Sequence, residues 1–342
     1  MVRRLRQSIR LLPAVLLGLA AWACGGSSPA GPAAPLPTSP LTLVFFLDEN
    51  ASGLLDGGEW TRVPGVAVEI GAARATSEVG TGRAILAAVT DGTHSVDFSA
   101  LPAFFVQPRG LTVQAPQPGG EVAVPLTLPI GNNTPGTYMA FGDSITNGDG
   151  SSGSEGYRAP LQAMLAHHFG NARVFDEGVP GTRSNQGADR IASSLASTRA
   201  AYTLILYGTN DWNHCDRAVP CFTIDSLATI VREVRAAGSL PFLATIIPAN
   251  PRFADHLAAE RNDWVAAMND LIRPLARKEG AVLVDLHKAF LETADLNLIF
   301  SDYIHPNDAG YVLMAGTFFR AITDPVPVTA AAGHDDPPAL LH

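Results

Sequence analysis

From Thr137 to about Thr323 the chain alternates short apolar runs with longer amphipathic ones, and few folds accommodate that alternation. The runs Tyr138–Phe141, Arg173–Phe175, Tyr202–Tyr207, Pro241–Ile247 and Ala281–Asp285 have strand length and little polar interruption. Between them, Tyr157–Phe169, Asn185–Ser197, Asp225–Ala237 and Ala254–Lys278 repeat apolar residues at helical spacing. Strands that are apolar on both sides belong in a parallel sheet covered by helices on both faces. An α/β domain over 137–323 is therefore expected. Its last helix should follow His305, with Tyr311, Leu313, Met314 and Phe318 facing inward.

The segment 41–128 has a different texture. Leu41–Leu47, Val66–Ile70, Ala84–Val89, His94–Phe98 and Val122–Leu126 are short runs separated by Gly, Asp and Pro turns, which predicts a small antiparallel β-sandwich. Pro129–Gly136 reads as a linker, and residues 324–342, rich in Pro, Ala, His and Asp, as a disordered tail. A formal net charge of -9 with no basic run argues against a nucleic-acid partner.

The first residues belong to export rather than to the fold. Arg3, Arg4, Arg6 and Arg10 precede an apolar stretch from Leu11 to Ala23 that is too short to span a bilayer comfortably, so residues 1–23 read as a signal peptide. Ala21-Trp22-Ala23-Cys24-Gly25 resembles a bacterial lipobox, which implies that Cys24 is lipidated and anchors the chain to a membrane facing the periplasm or cell surface. Ordinary cleavage with an unmodified Cys24 is the alternative. Residues 24–40, mostly Gly, Ser, Pro and Ala, then form a flexible tether. In an exported chain Cys215 and Cys221 are expected to form a disulfide; with only His214 beside them they make a poor zinc site.

Chemistry concentrates at strand ends. Tyr138–Phe141 breaks at Gly142-Asp143-Ser144, which sets Ser144 at the carboxyl edge of the sheet, where open α/β sheets bind ligands. Asp302 and His305 lie far downstream. A serine hydroxyl needs a base to remove its proton, and an imidazole works best when a carboxylate fixes its tautomer. The glycine turns Asp176-Glu177-Gly178 and Gly208-Thr209-Asn210-Asp211, each directly after a strand, are placed to offer oxyanion donors from Gly178 and Asn210. Taken singly, each residue has a plainer reading: Asp302 as a cap of the last helix, Asn210 as a turn residue, Asp143 and Asp211 as turn holders.

Together these four blocks resemble the SGNH (GDSL) hydrolase family over 137–323. The resemblance implies a flavodoxin-like parallel sheet of five strands with helices on both faces, and ester hydrolysis without a metal. It further implies Ser144 as nucleophile, His305 as base and then acid, Asp302 as its orienting carboxylate, and an oxyanion hole from the Ser144 amide, the Gly178 amide and the Asn210 side chain. Ile145 stands where leucine is usual in this family, and Asp176 where asparagine is common.

Asp48, Asn50, Ser52, the Leu54 carbonyl, Asp56 and Glu59, with Gly53 at the sixth position, fit the oxygen spacing of a calcium loop. A strand rather than a helix precedes it, which disfavours an EF-hand. The segment more loosely resembles prealbumin-like, Cna-B-type sandwich repeats, and a structural calcium there is an expectation. The functional expectation is an exported serine esterase acting on acetyl or short acyl esters of carbohydrate, such as an acetylated polysaccharide. A lysophospholipase or thioesterase is the enzymatic alternative. A surface adhesion protein is the non-enzymatic one, against which the intact Ser144, Asp302, His305 and Asn210 argue.

Overall fold

Within the amino-terminal region eight strands form: β1 (Thr38–Leu47), β2 (Ala67–Ile70), β3 (Ala73–Thr76), β4 (Arg83–Thr90), β5 (Gly92–Ser95), β6 (Asp97–Leu101), β7 (Thr112–Ala115) and β8 (Glu121–Leu126). The computed structural model describes residues 36–328. The expectations about the export segment, Cys24 and most of the tether and tail lie outside them. Thr38 and Ser39, assigned from sequence to the tether, pair with Thr90 and Val89 and so begin β1.

β1 is the centre of a three-stranded sheet, and its Leu41, Leu43, Phe45 and Leu47 are buried. β2, β3 and β6 build a second sheet, and β5 pairs with β7. Phe45 of β1 meets Phe98 of β6 edge to face at 5.9 Å, so the two larger sheets share one core. One pairing departs from the antiparallel expectation. β8 runs parallel to β1, with Thr42 opposite Glu121 and Leu47 opposite Leu126. Parallel neighbours need a crossover, and the chain makes one by leaving β1 for the other sheets before returning to its free edge. Strand runs are local and visible in sequence; the direction of a distant pairing is not.

The second region has strands β9 (Thr134–Gly142), β10 (Arg173–Gly178), β11 (Ala200–Leu206), β12 (Leu240–Ala244) and β13 (Val282–Val284). They form one parallel sheet in the order β10-β9-β11-β12-β13. The helices are α1 (Ser144–Asn147), α2 (Arg158–Phe169), α3 (Ser184–Thr198), α4 (Phe222–Ala236), α5 (Ala258–Glu279), α6 (Leu286–Leu291) and α7 (Asp308–Thr323). Alternate residues of β9 enter different cores. Tyr138 and Ala140 join Leu161, Leu165, Tyr311 and Phe318 from α2 and α7, whereas Met139 and Phe141 join Ile191, Leu227 and Met268 from α3, α4 and α5. This is the doubly covered parallel sheet that the apolar runs implied. Each fully buried large side chain contributes about 1.5–3 kcal/mol.

From Pro37 onward the described residues belong to one compact unit. Phe104 contacts Phe242 of β12 at 5.7 Å and Phe105 stacks on Phe169 of α2 at 6.3 Å, so the β-region and the parallel sheet share a continuous core. The expected linker is shorter than drawn, because Thr134–Gly136 already belongs to β9. The expected tail also starts later: β14 (Val326–Pro327) pairs antiparallel with Leu101 and Ala100 of β6.

Candidate active site

Gly142 ends β9 where no side chain fits, since a Cβ there would fall on the Thr146 hydroxyl and the Leu206 carbonyl. The chain turns directly into α1, whose N-cap Asp143 accepts the Ile145 N–H at 3.0 Å. Ser144 is therefore the first helical residue, and its own N–H has no partner among the described residues. Arg190 of α3 braces this turn from beneath. Its guanidinium lies 4.2 Å over the Phe141 ring and donates to the Gly142 carbonyl at 3.0 Å and the Tyr207 hydroxyl at 2.7 Å. It also pairs with Glu177 at 3.3 Å, joining the carboxyl ends of β9, β10 and β11.

Ser144 Oγ lies 2.9 Å from His305 Nε2, and His305 Nδ1 lies 2.7 Å from Asp302 Oδ2. The contacts select the Nδ1–H tautomer, because the carboxylate can only accept and Nε2 must then accept from Ser144. Asp302 Oδ1 also accepts the N–H groups of Ile304 at 2.8 Å and His305 at 2.7 Å, so one carboxylate shapes the loop and aims the ring. Burial pushes the Asp302 carboxyl up, but the hydrogen bonds from His305 and Ile304 outweigh it and hold it below its ordinary value. The cap of α7 is Asn307, which accepts from Ala309 at 3.0 Å and Gly310 at 3.2 Å. The plainer reading of Asp302 as that cap falls away.

Asn210 Nδ2 donates to the Thr182 carbonyl at 2.9 Å and lies 3.4 Å from Asp143 Oδ2, which brings its carboxamide to the turn that carries Ser144. Asp211 holds the loop behind it, accepting from the Ser184 N–H at 2.9 Å, the Ser184 hydroxyl at 2.6 Å and the Thr223 hydroxyl at 2.7 Å. Burial raises both acids; the Asp143 carboxyl reaches about 7, with the Ile145 N–H and His305 pulling it down and Asp211 pushing it up.

The Gly178 expectation needs correction. Its N–H donates to Asp176 Oδ1 at 2.9 Å and is not free. A Cβ there would also collide with the Asn147 backbone, so this glycine serves close packing of β10 on α1. The next glycine carries the available amide. Gly181 sits at φ 74° in a turn closed by Thr182 N–H to the Val179 carbonyl at 3.2 Å, and its own N–H has no partner among the described residues. The adjacent Thr182 carbonyl receives Asn210, which places that turn against the Asn210 loop.

Cys215 and Cys221 are bonded, with Cα atoms 5.7 Å apart. The loop they close is tied to α5 by Trp264 Nε1, which donates to the Ala218 carbonyl at 3.0 Å.

In the Asp48–Glu59 loop, Asp48 accepts the Ser52 and Gly53 N–H groups at 3.1 and 2.9 Å, and Glu59 accepts those of Glu49 and Asp56 at 2.9 and 3.0 Å. Asn50 and Ser52 both donate to Asp56 at 2.9 Å. The expected oxygen donors thus form one knot, satisfied internally. No group of three or more His, Cys, Asp or Glu among the described residues has metal-holding geometry.

The model of the GDSL-like Lipase/Acylhydrolase family matches residues 140–313. Esterase TesA of Pseudomonas aeruginosa is 31% identical over 175 residues, covering 50% of this chain and 79% of that protein. An uncharacterized lipoprotein of Bacillus subtilis, YqeF, is 25% identical over 194 residues, covering 49% of this chain and 80% of its own. Among solved structures, the acetylxylan esterase Axe2 of Geobacillus stearothermophilus is 22% identical, covers 57% of this chain and 96% of its own, and superposes with a TM-score of 0.46.

Proposed function

We propose, for a chain that belongs to the GDSL-like lipase/acylhydrolase family and is an esterase, that it hydrolyses short acyl esters through an acyl-enzyme on Ser144. The observation that carries the reading is the unbroken hydrogen-bond chain from Asp302 through His305 to Ser144 Oγ. His305 Nε2 takes the hydroxyl proton as Oγ attacks the acyl carbon, and Asp302 stabilises the imidazolium that forms. The Ser144 N–H and the Gly181 N–H receive the oxyanion, joined by the Asn210 Nδ2 proton that otherwise makes the long 3.4 Å contact with Asp143 Oδ2. His305 then returns the proton to the departing alcohol, and water repeats the sequence to free the acid. Each oxyanion donor is worth roughly 10²–10³ in kcat.

Carbohydrate is the proposed alcohol part. His256 stacks on Tyr303 at 4.3 Å beside the Asp302–His305 loop, and its side chain is 47% exposed, giving the rim a flat aromatic face suited to a sugar ring. Export and lipidation at Cys24 belong to the same proposal, supported by the charged and apolar leader and by the lipoprotein relative. No helix among the described residues is long and apolar enough to cross a membrane. Calcium binding by the Asp48–Glu59 loop is proposed on the gathering of Asp48, Asn50, Ser52, Asp56 and Glu59 oxygens in one loop, where an ion would take the place of the side-chain hydrogen bonds to Asp56.

The test is labelling with a fluorophosphonate followed by peptide mapping, with turnover on acyl esters of increasing chain length and on acetylated glycans. Labelling at Ser144 that Ser144→Ala abolishes, with preference for acetyl glycans, is the expected result. No labelling of Ser144 overturns the mechanism, and preference for long acyl chains overturns the substrate.

A further inference from the structure

Arg261, near the start of α5, is only 5% exposed and makes no ion pair among the described residues. Its Nε is buried without a partner. Burying an unpaired cation costs several kcal/mol, so its surroundings call for a reason. Nη1 donates to the Thr209 carbonyl at 3.0 Å and Nη2 to Asn213 Oδ1 at 3.2 Å. The guanidinium carbon lies 4.4 Å over the Trp212 ring and 5.8 Å from the Tyr303 ring.

These neighbours sit in two loops that come from opposite parts of the sequence. Thr209 immediately precedes Asn210, and Tyr303 lies between Asp302 and His305. One side chain outside the triad thus touches both the loop that carries an oxyanion donor and the loop that carries the base. Oxyanion and imidazolium form together in the same step, so the spacing of those loops must hold to within about 0.5 Å. A planar guanidinium suits this task, since its edge fixes two acceptors in set directions while its faces lie against rings; an ammonium has neither a rigid fork nor a flat face to stack.

We propose that Arg261 is a positioning residue for ester hydrolysis, fixing the Asn210 loop and the Asp302–His305 loop in one frame. This rests on the triad reading above. It differs from a packing role in what it predicts: a loss in kcat rather than in KM or in folding alone, and poor rescue by lysine.

The experiment measures steady-state hydrolysis of p-nitrophenyl acetate alongside thermal melts for Arg261→Met, Arg261→Lys, Tyr303→Leu and Ser144→Ala. In folded Arg261→Met, kcat should fall by about 30- to 100-fold with KM within about threefold, the scale of a small misplacement of catalytic groups. Arg261→Lys should remain at least about tenfold below the parent, because it lacks the planar fork. Tyr303→Leu should show the same kcat-selective loss, and the Arg261→Met/Tyr303→Leu pair should lose less than the product of the single effects. A folded Arg261→Met with parental kcat, or a loss confined to KM, overturns the proposal. If Arg261→Met does not fold, parental kcat in both Arg261→Lys and Tyr303→Leu overturns it instead. Turnover surviving in Ser144→Ala refutes the triad itself. An inactive Ser144→Ala beside a full-speed Arg261→Met refutes only the role of Arg261.

Discussion

Replacing Asp302 by asparagine separates the two jobs of its carboxylate. Oδ1 holds the Ile304 and His305 N–H groups at 2.8 and 2.7 Å, and Oδ2 faces His305 Nδ1 at 2.7 Å. Asparagine keeps a carbonyl oxygen for the first job and turns an NH₂ toward the ring for the second. Nδ1 must then accept, Nε2 carries the proton, and the imidazole cannot take one from Ser144. A charged hydrogen bond is worth about 1.5–3 kcal/mol, or roughly 10- to 150-fold in rate, and the wrong tautomer adds to that. The corresponding change in a buried triad costs about 10⁴-fold. The Asp302 side chain is 43% exposed, so water screens part of its charge.

The expected loss in kcat/KM is therefore about 10²–10³-fold, between those two reference values. Melting should change little, because the loop-shaping acceptor survives; Asp302→Ala, which loses it, should lose both activity and stability. The acid dependence supplies a second reading. Because hydrogen bonds depress this carboxyl in the folded state, its stabilisation is present above the ordinary carboxylate pKa and is lost as pH falls through the folded value. The stability gap between parent and Asp302→Ala should shrink accordingly on acidification. A kcat/KM for Asp302→Asn within about fivefold of the parent, at unchanged melting temperature, would refute the orienting role.

Asn210→Ala should lower kcat by about 10²–10³-fold while fluorophosphonate still labels Ser144, measured by pre-steady-state acylation. Asp143 is held at about 7 by burial against an ordinary 3.8, so the folded state binds the extra proton between those values and stability falls as pH rises through them. Asp143→Asn should consequently be the more stable protein above pH 7 by at most on the order of 4 kcal/mol, with the gap closing toward pH 4 in urea titrations; a pH-independent gap refutes this. Chelation should lower the melting temperature of the full chain and Asp48→Ala should abolish the shift, with turnover at low temperature unaffected. A melting point indifferent to millimolar calcium would leave Asp48–Glu59 a plain turn.

The elements that sequence disclosed are those fixed by local patterning. The apolar runs located the five parallel strands, and the Gly142-Asp143-Ser144 break located the turn after β9 because a strand, a glycine and a cap follow one another there. The misreading at Gly178 has a specific cause. Which of two neighbouring glycines keeps a free amide depends on where the Asp176 side chain folds back, and composition does not encode that. Arg190 and Arg261 were invisible for a related reason. An arginine on an amphipathic helix reads as solvated surface, and only the packing of α3 and α5 against distant loops half-buries Arg190 and buries Arg261. The parallel pairing of β8 with β1 was likewise hidden, because it joins segments separated by two other sheets.

The two-residue strand β14 sets an order of events during folding. β6 already has β2 on one side, but its other edge stays open until Val326 and Pro327 arrive after α7. Until that happens the folding chain offers an unpaired strand edge to its neighbours. When β14 docks it closes that edge, and Pro327, which has no N–H to donate, becomes part of the new one. The last described strand thus covers β6 at Ala100 and Leu101 and leaves in its place an edge that pairs poorly with another copy.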